Sequence, residues 1–159
     1  MTISFRYNRK QVLKALRYHF ISKKEIRILI ILINVFALFA AAMFFWKKIH
    51  PLAFLLSSFL WFVLMLAIWI ILPFTIYSRA KTFKDAFTIT FMPQYMHMEN
   101  QRGQKDWNYN SFKYFIETPD FFHLYVDERA FFLIPKDAFE NSDAVHEARL
   151  LFREKIKKA

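Results

Sequence analysis

Two long apolar stretches dominate the hydrophobic pattern of this chain. The first runs from Ile28 to Trp46 and contains one polar residue, Asn34, and the second runs from Leu52 to Tyr77. As helices they would cover about 28 Å and about 39 Å, and the apolar core of a bilayer is about 30 Å thick. Because backbone groups inside lipid must be hydrogen-bonded within their own segment, the pattern predicts two transmembrane helices.

The charged residues beside these stretches predict their orientation. Residues 1–27 hold eight Lys or Arg against one Glu, Lys47 and Lys48 form the short turn, and basic residues also follow the second stretch. So short a turn makes the two helices antiparallel neighbours. The positive-inside rule then predicts two spans with both termini in the cytoplasm.

Small residues predict where the two helices pack closely. In a register that pairs Trp46 with Leu52, the residues predicted to pack at the crossing are Ala40, Ala41, Ser57 and Ser58. Small side chains allow two backbones to approach each other in lipid. Asn34 lies away from this level, so its amide bonds its own helix, lies near the membrane interface, or contacts a second copy or a partner helix. The sequence leaves these alternatives open.

The segment ahead of the spans, 1–27, predicts a short strand over 2–7 and a helix from Arg9 to about Ile21. The helix has an apolar face opposite a basic one, which is typical of an interfacial helix. On that interpretation, anionic lipid headgroups contact Lys10, Lys14, Arg17, Lys23, Lys24 and Arg27. The alternative is that the apolar face packs on the soluble part of the chain.

After the second span, apolar and polar residues alternate with the period of a strand. The predicted strands are 87–91, 95–99, 106–110, 112–118, 121–126 and 130–134, and a last helix begins at Ser142. The predicted fold class is a membrane α-helical hairpin plus an α+β domain, a small antiparallel β-barrel or sheet capped by a C-terminal helix. The predicted domains are a basic arm (1–27), the hairpin (28–77) and the soluble domain (78–159).

Short motifs in the soluble domain resemble the bacterial YcxB-like membrane proteins. They are Gly103 with Trp107, the runs 116–118 (IET), 121–125 (FFHLY) and 133–136 (LIPK), and Phe139. The resemblance implies a two-helix membrane hairpin and a cytoplasmic domain similar to pleckstrin-homology-like modules. It also implies a location in the bacterial cytoplasmic (inner) membrane.

Composition and charge argue against several classes of function. The chain has no Cys and one Gly, so thiolate metal sites and glycine-rich phosphate loops are excluded. The five His show no metal-ligand spacing, and we predict no cofactor, no metal and no catalytic site. Most of the net charge of +10 lies beside the predicted spans, which argues against nucleic acid as a partner.

Two pairs of adjacent aromatic residues provide a candidate partner surface. Phe121 and Phe122 lie on one predicted strand, and Phe131 and Phe132 lie on the next. Neighbours in a strand point to opposite faces, so one member of each pair leaves the interior. That member is covered by the terminal helix, the N-terminal arm, the bilayer or another protein.

Two functional hypotheses follow. The first is a non-enzymatic, membrane-anchored module that binds an unidentified protein at the inner leaflet of a bacterial membrane, beside anionic lipid. The second is a membrane-resident immunity or regulatory protein that blocks a toxin or another membrane protein through its helices. A homo-oligomer is compatible with either hypothesis.

Overall fold

The computed structural model describes residues 1–128 and 130–156. The chain forms two compact units, one made of Met1–Ala15 with Ala80–Ala159 and the other of Leu16–Arg79. These boundaries differ from the predicted ones because the N-terminal strand belongs to the same unit as the strands that follow the hairpin.

The first unit, called here the sheet domain, contains two antiparallel sheets. The four-stranded sheet has the order β1 (Thr2–Arg6), β2 (Ala86–Phe91), β3 (Tyr95–Asn100) and β4 (Gly103–Asn108). The three-stranded sheet has the order β5 (Tyr114–Glu117), β6 (Phe121–Tyr125) and β7 (Phe131–Pro135). Gly103 has a φ of +149°, which favours glycine, at the tight turn between β3 and β4.

The predicted closed barrel is wrong, because the two sheets remain separate. A 3₁₀ turn over Tyr109–Ser111 interrupts the chain between β4 and β5, where the sequence predicted two consecutive strands. Tyr109 is buried there, and its hydroxyl donates to the carbonyl of Met92 at 3.0 Å. The chain therefore leaves the first sheet before it starts the second.

One core joins both sheets to the last helix, α5 (Ser142–Lys155). Asn141 caps α5 by accepting a hydrogen bond from the backbone N–H of Ala144 at 2.8 Å. Buried side chains in this core come from every layer and include Ile89, Met96, Phe122, Ile134, Ala148 and Phe152. Full burial of one large apolar side chain contributes about 1.5–3 kcal/mol, so this core dominates the stability of the domain.

The second unit, called here the hairpin, contains α2 (Lys24–Phe45), α3 (Pro51–Leu66), a π-helical segment (Ala67–Ile71) and α4 (Leu72–Arg79). Helix α1 (Arg9–Ser22) contributes residues to both units. Two helical segments, Lys24–Phe45 and Pro51–Arg79, are long and apolar enough to cross a membrane. The rings of Phe44 and Phe54 stack at 4.4 Å beside the turn.

Candidate functional site

The first candidate site is the polar pair Asn34 and Trp61 on the hairpin. The side-chain amide of Asn34 donates to the carbonyl of Ile30 at 2.8 Å, so the predicted bond to its own helix is present. The indole N–H of Trp61 donates to Oδ1 of Asn34 at 3.4 Å. Trp61 also lines an apolar cleft of about 220 Å³ with Leu32, Ile33, Phe36, Leu60 and Leu64.

The predicted helix crossing divides into buried and exposed residues. Ala40 is buried and Ser57 is half-buried, whereas Ala41 and Ser58 are exposed. Both serine hydroxyls donate to the carbonyl of Phe54, at 2.8 Å and 2.9 Å. The serines therefore bond their own helix and do not bridge the two helices.

The predicted lipid contacts have different surroundings. Lys10, Lys24 and Arg27 are exposed and Lys23 is half-buried, whereas Lys14 forms an ion pair with Asp120 at 2.5 Å. Nε of Arg17 donates to the carbonyl of Trp69 at 2.9 Å. That carbonyl belongs to the π-helical segment that ends two residues before Pro73, which has no N–H to donate. Arg17 therefore binds the helix backbone beside this irregular segment.

The first half of α1 packs on the sheet domain, which was one of the two alternatives for the N-terminal helix. Val12 and Ala15 are buried, and Gln11 donates to the carboxylate of Asp137 at 2.9 Å. The hydroxyl of Tyr7 donates to the carbonyl of Leu133 at 2.7 Å, and burial raises the pKa of Tyr7. These contacts place the N-terminal segment beside β7.

The paired phenylalanines offer no open surface on β6. Phe121 and Phe122 are both buried, although they point to opposite faces of the strand. Phe122 belongs to the shared core, and Phe121 lies outside that cluster. Phe131 and Phe132 are half-buried and pack against Tyr125 and Trp107, respectively. Both faces of β6 are covered within the protein, so neither Phe121 nor Phe122 is exposed to a partner in this structure.

Glu117 organises a cationic cluster that sequence reasoning missed. Its carboxylate accepts from Nζ of Lys136 at 2.7 Å and from Nη2 of Arg149 at 2.8 Å. Partial burial alone would raise the pKa of Glu117, but the hydrogen bonds and charges of Arg149 and Lys136 outweigh it and lower this pKa to about 2. The three residues are far apart in sequence and come together only when α5 packs beside β5.

The second candidate site is an open polar cleft of about 660 Å³ at one end of the sheet domain. Its walls are two turns and the end of α5, and its lining residues are Pro93, Gln94, Asn108, Tyr109, Asn110, Ser111 and Lys155. Burial raises the pKa of Tyr109 to about 12, so its hydroxyl stays protonated at neutral pH. The cleft therefore presents mainly neutral hydrogen-bonding groups and one lysine.

The edge strand β4 adjoins this cleft at Asn108. All its residues except the half-buried Trp107 are exposed, and Nζ of Lys105 lies 4.0 Å from the centre of the Trp107 ring. Asp106 bonds Nδ1 of His97 on β3 at 2.5 Å. In residues 1–128 and 130–156, no three His, Asp or Glu side chains are grouped to hold a metal ion.

Comparison with known proteins gives one match. Residues 91–151 match the model of the YcxB-like protein family, from the end of β2 into α5. No curated protein and no solved structure matches the chain. The resemblance predicted from the sequence motifs is therefore confirmed, and residues 91–151 are a YcxB-like segment.

Proposed function

We propose that this chain is a non-enzymatic, membrane-anchored module that binds a protein at the inner leaflet of a bacterial cytoplasmic membrane. The pairing of β1 with β2 carries this proposal, because Thr2 faces Thr90 and Arg6 faces Ala86 although both long apolar helices separate them in sequence. Two paired strands must lie on the same side of a membrane. The helices between them then cross it an even number of times.

The basic residues agree with a cytoplasmic location for both ends. Eight Lys or Arg lie in residues 1–27, which lead into α2, whereas the turn between the helices carries only Lys47 and Lys48. The positive-inside rule places the more basic side in the cytoplasm. Lys23, Lys24 and Arg27 surround the start of α2, where anionic headgroups would attract them.

The strand order supports a pleckstrin-homology-like assignment for the sheet domain. Sheets of four and three antiparallel strands are followed by one C-terminal helix whose Phe152 reaches the core. In this assignment the membrane hairpin is an insertion between the first two strands. The sheet domain is therefore attached to the membrane at two points, where the chain enters the hairpin after β1 and where it returns to β2.

The free edge of β4 with the adjoining polar cleft is the surface that we propose for the protein partner. Asn100 and Gly103 flank a two-residue turn and form a hydrogen-bonded pair. In an antiparallel ladder only every second residue bonds the neighbouring strand, so the odd-numbered residues of β4 bond β3. Gln104, Asp106 and Asn108 therefore direct their backbone groups away from β3. An extended segment of a partner can bind such groups by strand addition.

Charges on β4 disfavour pairing with a second copy of the same strand. When two β4 strands pair about a two-fold axis, residues opposite each other must point to the same side of the sheet. This holds only when the axis passes through a residue and not between two residues. The two most complete registers place Lys105 against Lys105 or Asp106 against Asp106. Like charges directly opposite each other destabilise a pair, so the edge favours a different strand.

Gln104→Pro tests this surface, because it removes one outward N–H without a cost to the β3 ladder. With a photocrosslinking residue at Asn110 of the full chain in bacterial membranes, we expect the partner adduct to disappear in Gln104→Pro. Gln104→Ala is the matched control, which keeps the N–H and should keep the adduct. An adduct that survives Gln104→Pro contradicts strand addition.

A second variant, in which an unrelated two-span hairpin replaces residues 24–79, tests the alternative function. If only this replacement removes the adduct, the result favours the immunity or regulatory alternative.

A further inference from the structure

Asn34 is a polar side chain at the deepest point of the hairpin. It lies at the midpoint of α2, about 15 Å along the helix from either end. Its side chain is exposed, although its oxygen also accepts a long bond from Trp61 on α3. If the hairpin crosses a bilayer as proposed above, this amide lies near the middle of the hydrocarbon, where lipid offers no hydrogen bond.

The hydrogen bonds inside the hairpin leave the Asn34 amide only partly satisfied. Its NH₂ group has two N–H donors, and one of them donates to Ile30. Its oxygen has two acceptor positions, and one accepts the long bond from Trp61. Within residues 1–128 and 130–156 the second N–H has no partner. The exposed amide thus keeps one donor and one acceptor.

We infer that two copies of this chain associate through α2, with Asn34 of each copy bonded to Asn34 of the other. This inference rests on the membrane insertion proposed above. Copies inserted in the same direction place Asn34 at the same depth automatically. One free donor and one free acceptor on each side match across a two-fold axis, so both amides are satisfied by two reciprocal bonds. Another protein would need an amide or similar group at that same depth.

The surface around Asn34 suits such a contact. Leu38 and Ala41 are exposed one and two turns along the same face. Ala41 allows close approach of a neighbouring helix. Ala40 and Ile33 are buried on the side of α2 that packs on α3. The face that carries Asn34 and Leu38 therefore stays free for a second hairpin.

Cysteine crosslinking of the full-length chain in bacterial membranes tests the contact. The chain has no native Cys, so Leu38→Cys is a single reactive site on the Asn34 face. Oxidation should give a disulfide-linked dimer of Leu38→Cys. Phe39→Cys is the matched control, exposed at nearly the same depth but on another face, and it should give no disulfide-linked dimer.

Substitution of Asn34 then tests the hydrogen bonds. In liposomes, energy transfer between labelled chains should show a dimer whose dissociation constant rises about 5- to 30-fold in Asn34→Leu. Asn34→Leu with Val35→Asn moves the amide about 100° around the helix and should not restore binding. Trp61→Phe removes only the bond inside the hairpin and should leave the dimer intact.

Several results would overturn the inference while leaving membrane insertion intact. These are a monomer at all protein-to-lipid ratios, equal dimerisation of Asn34→Leu and the parent, or equal losses in Asn34→Leu and Trp61→Phe. Crosslinks from position 38 to a different protein would also overturn it. Alkaline extraction of the same membranes is the separate check, because a chain released into the soluble fraction contradicts the proposed membrane function itself.

Discussion

Replacing Phe122 by alanine should lower the free energy of unfolding of the sheet domain by about 3–5 kcal/mol. The ring of Phe122 is fully buried, lies 5.2 Å from the ring of Phe152, and carries Nζ of Lys136 at 5.0 Å from its centre. Removing it opens a cavity where β6 meets α5. Since whole domains are stable by only about 5–15 kcal/mol, the loss would be severe.

Hydrogen exchange of the β6 and β7 amides in the full-length protein measures this loss. Phe121→Ala should cost a similar amount, because Phe121 is also buried, on the other face of the strand. Phe131→Ala is the control, since its half-buried ring should contribute clearly less. If Phe121→Ala leaves protection unchanged while Phe122→Ala abolishes it, the outer face of β6 is open and our account of that face is wrong.

A disulfide between positions 2 and 90 should stabilise the sheet domain by about 4–5 kcal/mol in the loop-entropy account. The hydroxyls of Thr2 and Thr90 lie 3.1 Å apart on facing strands. Phe91 donates to the carbonyl of Met1 at 2.8 Å, which makes the next pair, Thr2 and Thr90, non-hydrogen-bonded. The Cα atoms of such pairs are about 4.5 Å apart, within the range of a disulfide.

Thr2→Cys with Thr90→Cys in the purified full-length protein should therefore form a bond under mild oxidation. A non-reducing gel and the melting temperature measure the bond and the stabilisation. Ser4→Cys with Glu99→Cys is the matched control. These positions share a row but are separated by β2, so they lie about 10 Å apart and should not bond. Absence of the 2–90 bond would mean that β1 is not paired as the structure places it.

The two long apolar helices could be predicted from sequence because their signal is local. The predicted spans, 28–46 and 52–77, fall within the helical segments Lys24–Phe45 and Pro51–Arg79 except at the turn. Most strands and the last helix were also predicted, since alternation and turn residues act over a few positions. Bonding of Asn34 to Ile30 is equally local, being one helical turn.

The remaining features depend on residues that are distant in sequence. Pairing of β1 with β2 joins positions that are 80 to 88 residues apart, and no local pattern specifies it. The closed barrel was wrong because burial of Tyr109 competes with continuation of the sheet. Lys14 was expected at lipid, but its partner Asp120 becomes a neighbour only after α1 packs on the sheet domain.

In our proposal, the two ends of the hairpin lie on the same side of the membrane, because β1 and β2 pair in one sheet. Labelling of single cysteines with a membrane-impermeant thiol reagent in intact cells tests it directly, using Thr2→Cys, Lys48→Cys and Thr90→Cys. We expect only position 48 to react from outside, and positions 2 and 90 to react once the membrane is opened. If position 2 or position 90 reacts in intact cells, the two ends of the hairpin do not both lie in the cytoplasm.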